Sequence, residues 1–404
     1  MTHITIDAST GDLVVAGRPV FPIGLSNPPP VDGVTPTGAS AWAEVVAAGV
    51  TFVRNYTIWR AAGLDEQLIA VGHELDVAVE HGLQLWLGLA GVATSLSTQG
   101  LLDRIVDEFK GHPGLGVWKG ADEPAHGHVP AAGCVAVYRH LRSLDPDHPV
   151  AIIEAPRGPS PGPGKHDVPL TAAAIAPYAA ACDIHGIDIY PLPPGAHAGG
   201  PPVDTDLSVV GEMTSIVARA TRRRSIWTTL QIAWSGVLPP HPAVFPTLQQ
   251  QRFTAYDAVV AGARGLFWFG GHLEQVMTTG DRRLGWNWSY WERVLHPLLL
   301  ELTDGAHMQA LAAPLAPALV SASEPDIGVS AREAGGALHL IAVRRSPSRT
   351  SKIRFTGLPA AATAGTVLSH GADNPERSVH ASGGAFTDPS PFGPHNARVY
   401  RFEL

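Results

Sequence analysis

Gly114-Leu-Gly-Val-Trp-Lys-Gly-Ala-Asp-Glu-Pro124 (GLGVWKGADEP) is the stretch on which the reading of this chain turns. A short, mostly apolar run ends in two adjacent acids and a proline. Near-continuous apolar runs of this kind suit parallel strands buried on both faces. Working outward from 114–121, seven further runs share the texture: 21–26 (FPIGLS), 50–56 (VTFVRNY), 83–90 (LQLWLGLA), 149–155 (PVAIIEA), 182–190 (CDIHGIDIY), 225–233 (SIWTTLQIA) and 263–270 (ARGLFWFG). Between them lie helical patterns at 39–48, 64–81, 99–110, 131–143, 206–221 and 246–261. In the last of these, Phe253, Tyr256, Val260 and Ala261 fall near one face.

Strand starts recur roughly every 30 to 40 residues, the length of one βα unit. Eight such units over about 290 residues predict a (β/α)₈ barrel, which takes about 250. An open doubly wound sheet would carry a glycine-rich phosphate loop after its first strand, and FPIGLSNPPP has none. The barrel, with an N-terminal hairpin turning at Ser9–Asp12 and plugging its bottom, is assigned to residues 1–310. Leu311–Pro317 reads as a linker. Residues 318–404 alternate in short runs (327–332, 337–343, 351–355 and 397–402) separated by turn residues, the texture of a small antiparallel β-sandwich. The Pro/Gly-rich segments 156–165 and 191–202 are long loops on the C-terminal face, where barrel active sites are built.

Composition narrows the function. The 404 residues are 45% hydrophobic and only 16% charged, with a net charge of −8. No face is built for nucleic acid, and Arg222-Arg223-Arg224 reads as a solvated helix end. Cys134 and Cys182 form neither a disulfide framework nor a zinc cluster. The start, MTHITIDASTGDL, lacks the basic and apolar regions of a signal peptide, and no run of about 18 apolar residues is present, so the expectation is a cytoplasmic protein without a membrane span. No HExxH, P-loop or Gly-x-Ser-x-Gly elbow occurs, and no cofactor or metal is expected, though His126 and His128 follow the acidic pair.

The strand ends carry the candidate chemistry. Asp122 and Glu123 repel each other, raising the pKa of at least one. A carboxylic acid still protonated near neutral pH is what protonating a glycosidic oxygen requires. Asp188 and Tyr190 share one face of the sixth strand, while His185 has the opposite parity and faces a helix. Gln231 ends the seventh strand as a hydrogen-bonding group facing the pocket. Arg54, Asn55 and Tyr56 end the second strand, and Glu154 the fifth. Trp234 and Trp268, with Trp86, Trp286 and Trp288 nearby, offer flat apolar surfaces for sugar rings.

GRPVFPIGL (17–25), GVWKGADEP (116–124), DIYP (188–191) and AVVAGARGLFWF (258–269), followed by a terminal sandwich, together resemble the (β/α)₈ glycoside hydrolases of the large retaining clan, which includes cellulase-like and β-galactosidase-like families. The resemblance spans roughly 17–404 and implies that Glu123 is the acid/base, with Asp122 replacing the asparagine that contacts the sugar 2-hydroxyl. It also implies a strand-7 glutamate as nucleophile, where this chain has Gln231, an amide that cannot form a glycosyl ester. Tyr190 and Trp268 match the aromatic residues placed around the cleaved bond. The second catalytic group would then be Asp188, Glu154 or Glu274, acting in an inverting reaction if far enough from Glu123 to admit a water. Alternatively, Asp122 orients the substrate's own acetamido group, or the barrel binds sugar without cleaving it. The substrate implied is an oligosaccharide, a polysaccharide or a glycoside.

Overall fold

The computed structural model describes residues 4–158, 169–193, 206–222, 225–369 and 374–404. It opens with a small antiparallel sheet, β1 (Ile4–Ile6), β2 (Leu13–Val15) and β3 (Arg18–Val20). Eight parallel strands follow and close into a barrel: β4 (Ile23–Ser26), β5 (Phe52–Arg54), β6 (Gln84–Gly88), β7 (Leu115–Asp122), β8 (Val150–Glu154), β9 (Ile184–Ile189), β10 (Ser225–Gln231) and β11 (Gly265–Phe269). The helices α1 (Ala41–Ala47), α2 (Leu64–His81), α3 (Gln99–Phe109), α4 (Ala131–Leu144), α5 (Ala172–Ile175), α6 (Val209–Thr221) and α7 (Leu248–Val260) alternate with the strands. The chain is therefore a TIM barrel, its eight strands matching the eight expected runs, with β7 reaching one residue beyond its run to Asp122.

Side-chain parity sorts each strand into an inner and an outer face. Phe52, Trp86, Val117, Ala151, Ile153, Ile184, Trp227 and Phe267 point inward and form one buried cluster with Ile4 and Leu13 of the N-terminal sheet. That sheet thus seals the bottom of the barrel with apolar side chains. The C-terminal mouth stays open.

The chain ends in two antiparallel sheets. One has the order β13 (Ile327–Ala334), β14 (Ala337–Arg344), β19 (Ala397–Glu403), β16 (Ala364–Val367), β17 (Arg377–His380); the other is β12 (Ser321–Ala322), β15 (Arg354–Thr356), β18 (Ala385–Thr387). Phe355 and Phe386 of the smaller sheet pack on Leu338, Leu340, Tyr400 and Phe402 of the larger, making a β-sandwich. The opposite face of the larger sheet places Ile341, Val343 and Val399 in the barrel's own core. Helix α7 lies at this junction and is buried on most of its surface, as a helix covered from two sides must be. Its start carries a capping box, Thr247 with Gln250. Arg332, fully buried, donates to the carbonyls of Val259 (3.2 Å), Leu311 (2.8 Å) and Ala313 (3.1 Å), so a sandwich residue closes helix ends of the barrel.

Candidate active site

The mouth of the barrel opens into a cavity of about 690 Å³. Arg54, Asp122, Glu123, Asp188 and Tyr190 form its floor, and Asn27, Tyr56, His126, Arg157, Trp234, Phe269 and His272 line its walls. A local irregularity builds the floor. In a regular strand, residues three apart face opposite ways, which would separate Lys119 from Asp122. Strand β7 places two residues between Lys119 and Asp122 where β8 places one between their partners Ala151 and Ile153. This bulge turns both side chains toward one another. Lys119 Nζ donates to Asp122 Oδ1 at 2.6 Å, and Arg54 Nη2 donates to Asp122 Oδ2 at 3.1 Å. The Lys119 side chain is only 2% exposed, against 44% for Asp122, so the ammonium is a buried counter-ion beneath an acid that meets solvent. Trp86 supports both cations from below, its ring 5.5 Å from the Arg54 guanidinium and 6.0 Å from Lys119 Nζ.

The two members of the acidic pair have opposite electrostatics. Burial alone would raise Asp122, but the Lys119 ammonium and the Arg54 guanidinium outweigh it and hold its carboxyl well below the usual carboxylate range. Glu123 is raised, first by burial and then by the fixed negative charge of Asp122. Asp188 is raised well above the ordinary aspartate value by burial and by repulsion from Glu123 and Asp122. Both carboxyls line the same cavity, and the charge of Glu123 is among the causes that raise Asp188. Tyr190 Oη donates to Asp188 Oδ2 at 3.2 Å, and the buried Asp188 Oδ1 has no hydrogen-bond partner among the described residues. Both shifts are upward, so these acids hold a proton to higher pH than free carboxyls do, and because the two interact they titrate as a pair.

Glu123 sits in the left-handed backbone region, at φ +45°. A residue with a Cβ pays about 1–3 kcal/mol there and stays only where its surroundings over-determine it. Tyr190 stacks on Phe269 with ring centroids 5.2 Å apart and lies 6.4 Å from Trp234, giving the cavity one aromatic wall. Tyr56, 58% exposed, stands at the rim beside Arg54.

Four residues expected to contact substrate are not among those lining this cavity. Asn55 follows Arg54 and has the opposite parity; it donates to Glu74 of α2, and its Oδ1 accepts from Thr57 N–H at 3.1 Å. Glu154 follows the inward Ile153 and faces outward, fully buried, 3.2 Å from His185 Nε2. Trp268 follows the inward Phe267 and donates to Gln251 of α7 at 3.0 Å; Phe269, next along, is the residue that reaches the cavity. Gln231 spends its side-chain amide on the main chain of Leu192, accepting from its N–H at 2.9 Å and donating to its carbonyl at 2.7 Å. The chain leaving β9 needs those partners, and a strand-end amide supplies them in the manner of a backbone group.

Asp188 lines the cavity together with Glu123. Glu274 is exposed and lies off the cavity. Of the tryptophans, Trp234 lines the cavity, Trp86 belongs to the barrel interior, and Trp286 and Trp288 are buried with Trp291 in the β11 crossover. His126 lines the cavity with Nδ1 3.2 Å from Gly158 O, and among the described residues no group of three or more His, Cys, Asp or Glu side chains could hold a metal. Cys134 and Cys182 are both buried and form no disulfide. Parts of both long loops (159–165 and 194–202) and Arg223–Arg224 lie outside the described residues. No described helix is long and apolar enough to cross a membrane.

The floor acids, the aromatic wall and the barrel mouth can be set beside known structures. The fold is that of the (β/α)₈ glycoside hydrolases. A solved structure described as a glycoside hydrolase matches with a TM-score of 0.67 at 12% identity, covering 100% of this chain and 97% of the other. The α-amylase of Geobacillus thermoleovorans, complexed with acarbose, matches at 0.55 with 12% identity over 95% and 98% of the two chains. The family 30 endoxylanase of Clostridium papyrosolvens matches at 0.53 with 10% identity over the whole of both. At these identities the likeness concerns architecture. No protein-family model and no curated protein matches the sequence. Lys119, His272 and Arg157 join the site without having been singled out in the sequence. A lysine inside an otherwise apolar strand was the available signal for the first.

Proposed function

We propose that this protein hydrolyses a glycosidic bond, with Glu123 as the proton donor. The observation that carries the reading is the placing of Glu123 and Asp188, both held above the ordinary carboxyl range, in an open cavity beside an Asp122 paired with Lys119 and Arg54. Protonating a glycosidic oxygen calls for an acid that keeps its proton near neutral pH. As the bond between the anomeric carbon and that oxygen breaks, the proton passes from Glu123 to the leaving oxygen and the sugar becomes cationic. Asp122 supplies a pre-formed negative charge toward that cation, fixed by donors that need no rearrangement. Once the proton has left, Glu123, Asp188 and Asp122 are three anions facing two cations. The pair is then a strong base and takes a proton from water as the water oxygen bonds to the anomeric carbon.

The substrate is a glycoside, an oligosaccharide or a polysaccharide, seated against the Tyr190, Phe269 and Trp234 wall. Hydrolysis of a panel of aryl α- and β-glycosides by wild type and Glu123→Gln tests the assignment. Turnover that falls by about 10²–10⁴-fold in the variant, with unfolding unchanged, is the expected result. Equal turnover by both proteins overturns the role of Glu123. Sugar binding without turnover in either would instead favour a non-catalytic carbohydrate-binding barrel, a reading to which Gln231 at the end of β10 lends support.

A further inference from the structure

The segment after Glu123 is tied down at nearly every residue. Glu123 N–H donates to Ile153 O at 2.7 Å, and its carbonyl accepts from Gly127 N–H at 2.9 Å. Pro124 O accepts from Val129 N–H at 3.0 Å. The Tyr178 hydroxyl lies 3.2 Å from Pro124 O and 2.6 Å from Val129 O, bridging the two ends of the turn. Ala125 N–H donates to Glu154 Oε2 at 3.1 Å. The other Glu154 oxygen meets His185 Nε2 at 3.2 Å, and His185 Nδ1 lies 3.6 Å from Cys182 Sγ. Glu154 and His185 are fully buried and line no part of the cavity.

A carboxyl group placed behind a barrel wall is expensive unless its oxygens are engaged. Here the two oxygens have two uses, one on His185 and one on the backbone two residues beyond Glu123. Peptide N–H groups of a tight turn need partners when buried, and a side-chain acceptor on the neighbouring strand fixes both the turn and its distance from β8. We propose that Glu154 and Tyr178 are positioning residues for Glu123: acting from outside the cavity, they hold its left-handed backbone and so keep its carboxyl in the cavity. The inference rests on the reading of Glu123 as proton donor. It assigns Glu154 a role in the reaction without substrate contact.

The test reads Glu123 itself. Carboxyl ¹³C NMR titrates it, its resonance identified by disappearance in Glu123→Gln. In Glu154→Leu the Glu123 titration should fall toward the ordinary glutamate range. On any aryl glycoside that wild type hydrolyses, kcat should drop on the order of 10²-fold with KM little changed, as a displaced catalytic group produces. Glu154→Gln keeps an oxygen to accept from Ala125 N–H, so it should restore both. Tyr178→Phe preserves the packing and should shift Glu123 in the same direction, which decides the matter if the leucine variant does not fold. An unshifted Glu123 in folded Glu154→Leu or Tyr178→Phe would overturn the proposal. Should wild type cleave no glycoside, the hydrolase reading falls while the titration still decides the positioning.

Discussion

Two buried ionic clusters, one in the sandwich and one at the barrel mouth, use nearly the same residues to opposite ends. In the sandwich, Asp388 accepts from Arg377 at 3.0 and 2.9 Å, Arg398 at 2.7 Å, Tyr400 Oη at 2.6 Å and Ser390 N–H at 2.9 Å. Burial would raise this acid, yet the tyrosine hydroxyl and the arginines outweigh it and lower its pKa. At the mouth, Asp122 also has two cations and Asp188 also has a tyrosine, but three acids share Arg54 and Lys119. There burial and the excess of negative charge push Glu123 and Asp188 up instead of down. Where donors match acceptors an ionic cluster is structural; where acids outnumber them beside a cavity, it holds a transferable proton.

The sharpest way to break this comparison is to make the same substitution in both places. Asp388→Asn leaves two arginines without their counter-charge and should cost about 3–5 kcal/mol of stability, read from urea unfolding. Asp188→Asn removes an acid the site does not neutralise and should cost no stability, since functional sites trade stability for chemistry. Equal losses would erase the distinction.

A smaller effect separates the clusters by pH. The mouth pair keeps its proton above about pH 4, where unfolded carboxyls lose theirs. The native state then binds the extra proton, so stability falls as pH rises through that window. Asp388 has the opposite sign: its contribution is present above that pH and is lost as pH falls through its lowered native value. The stability of Asp188→Asn relative to wild type should therefore grow from pH 4 to neutrality, measured by urea midpoints. A constant difference would mean that the pair holds no extra proton.

The smallest effect concerns a residue just off the site. Trp268→Phe leaves Gln251 Oε1 without its donor and should cost about 1–3 kcal/mol while leaving KM unchanged, because the indole faces α7. A raised KM would return Trp268 to the cavity.

The barrel was legible because each buried strand writes its own apolar run and each crossover its own helical period. The sandwich was less so: β16, β17 and β18 are three or four residues long with mixed composition, too short for alternation to stand out. At the site, Asp122, Glu123, Asp188, Tyr190 and Arg54 were found because charge and strand ends coincide there. Three of the four residues that fall outside the cavity differ from expectation by one position, Asn55 beside Arg54, Glu154 beside Ile153 and Trp268 beside Phe269, while Gln231 is turned to the Leu192 main chain. Parity decides each, but a strand's inner face is known only once the barrel closes. Lys119 escaped for the converse reason, since the bulge that brings it to Asp122 suspends parity.

The central claim is that Glu123 works as a protonated acid, and the pH dependence of kcat/KM on an aryl glycoside tests it most directly. This profile reports the essential groups of the free enzyme. Activity should be full while the mouth pair keeps its proton and decline through a basic limb placed above the ordinary glutamate range. A rate that instead rises through the carboxyl range and stays high at alkaline pH would mean that the reaction needs Glu123 ionised, contradicting the account.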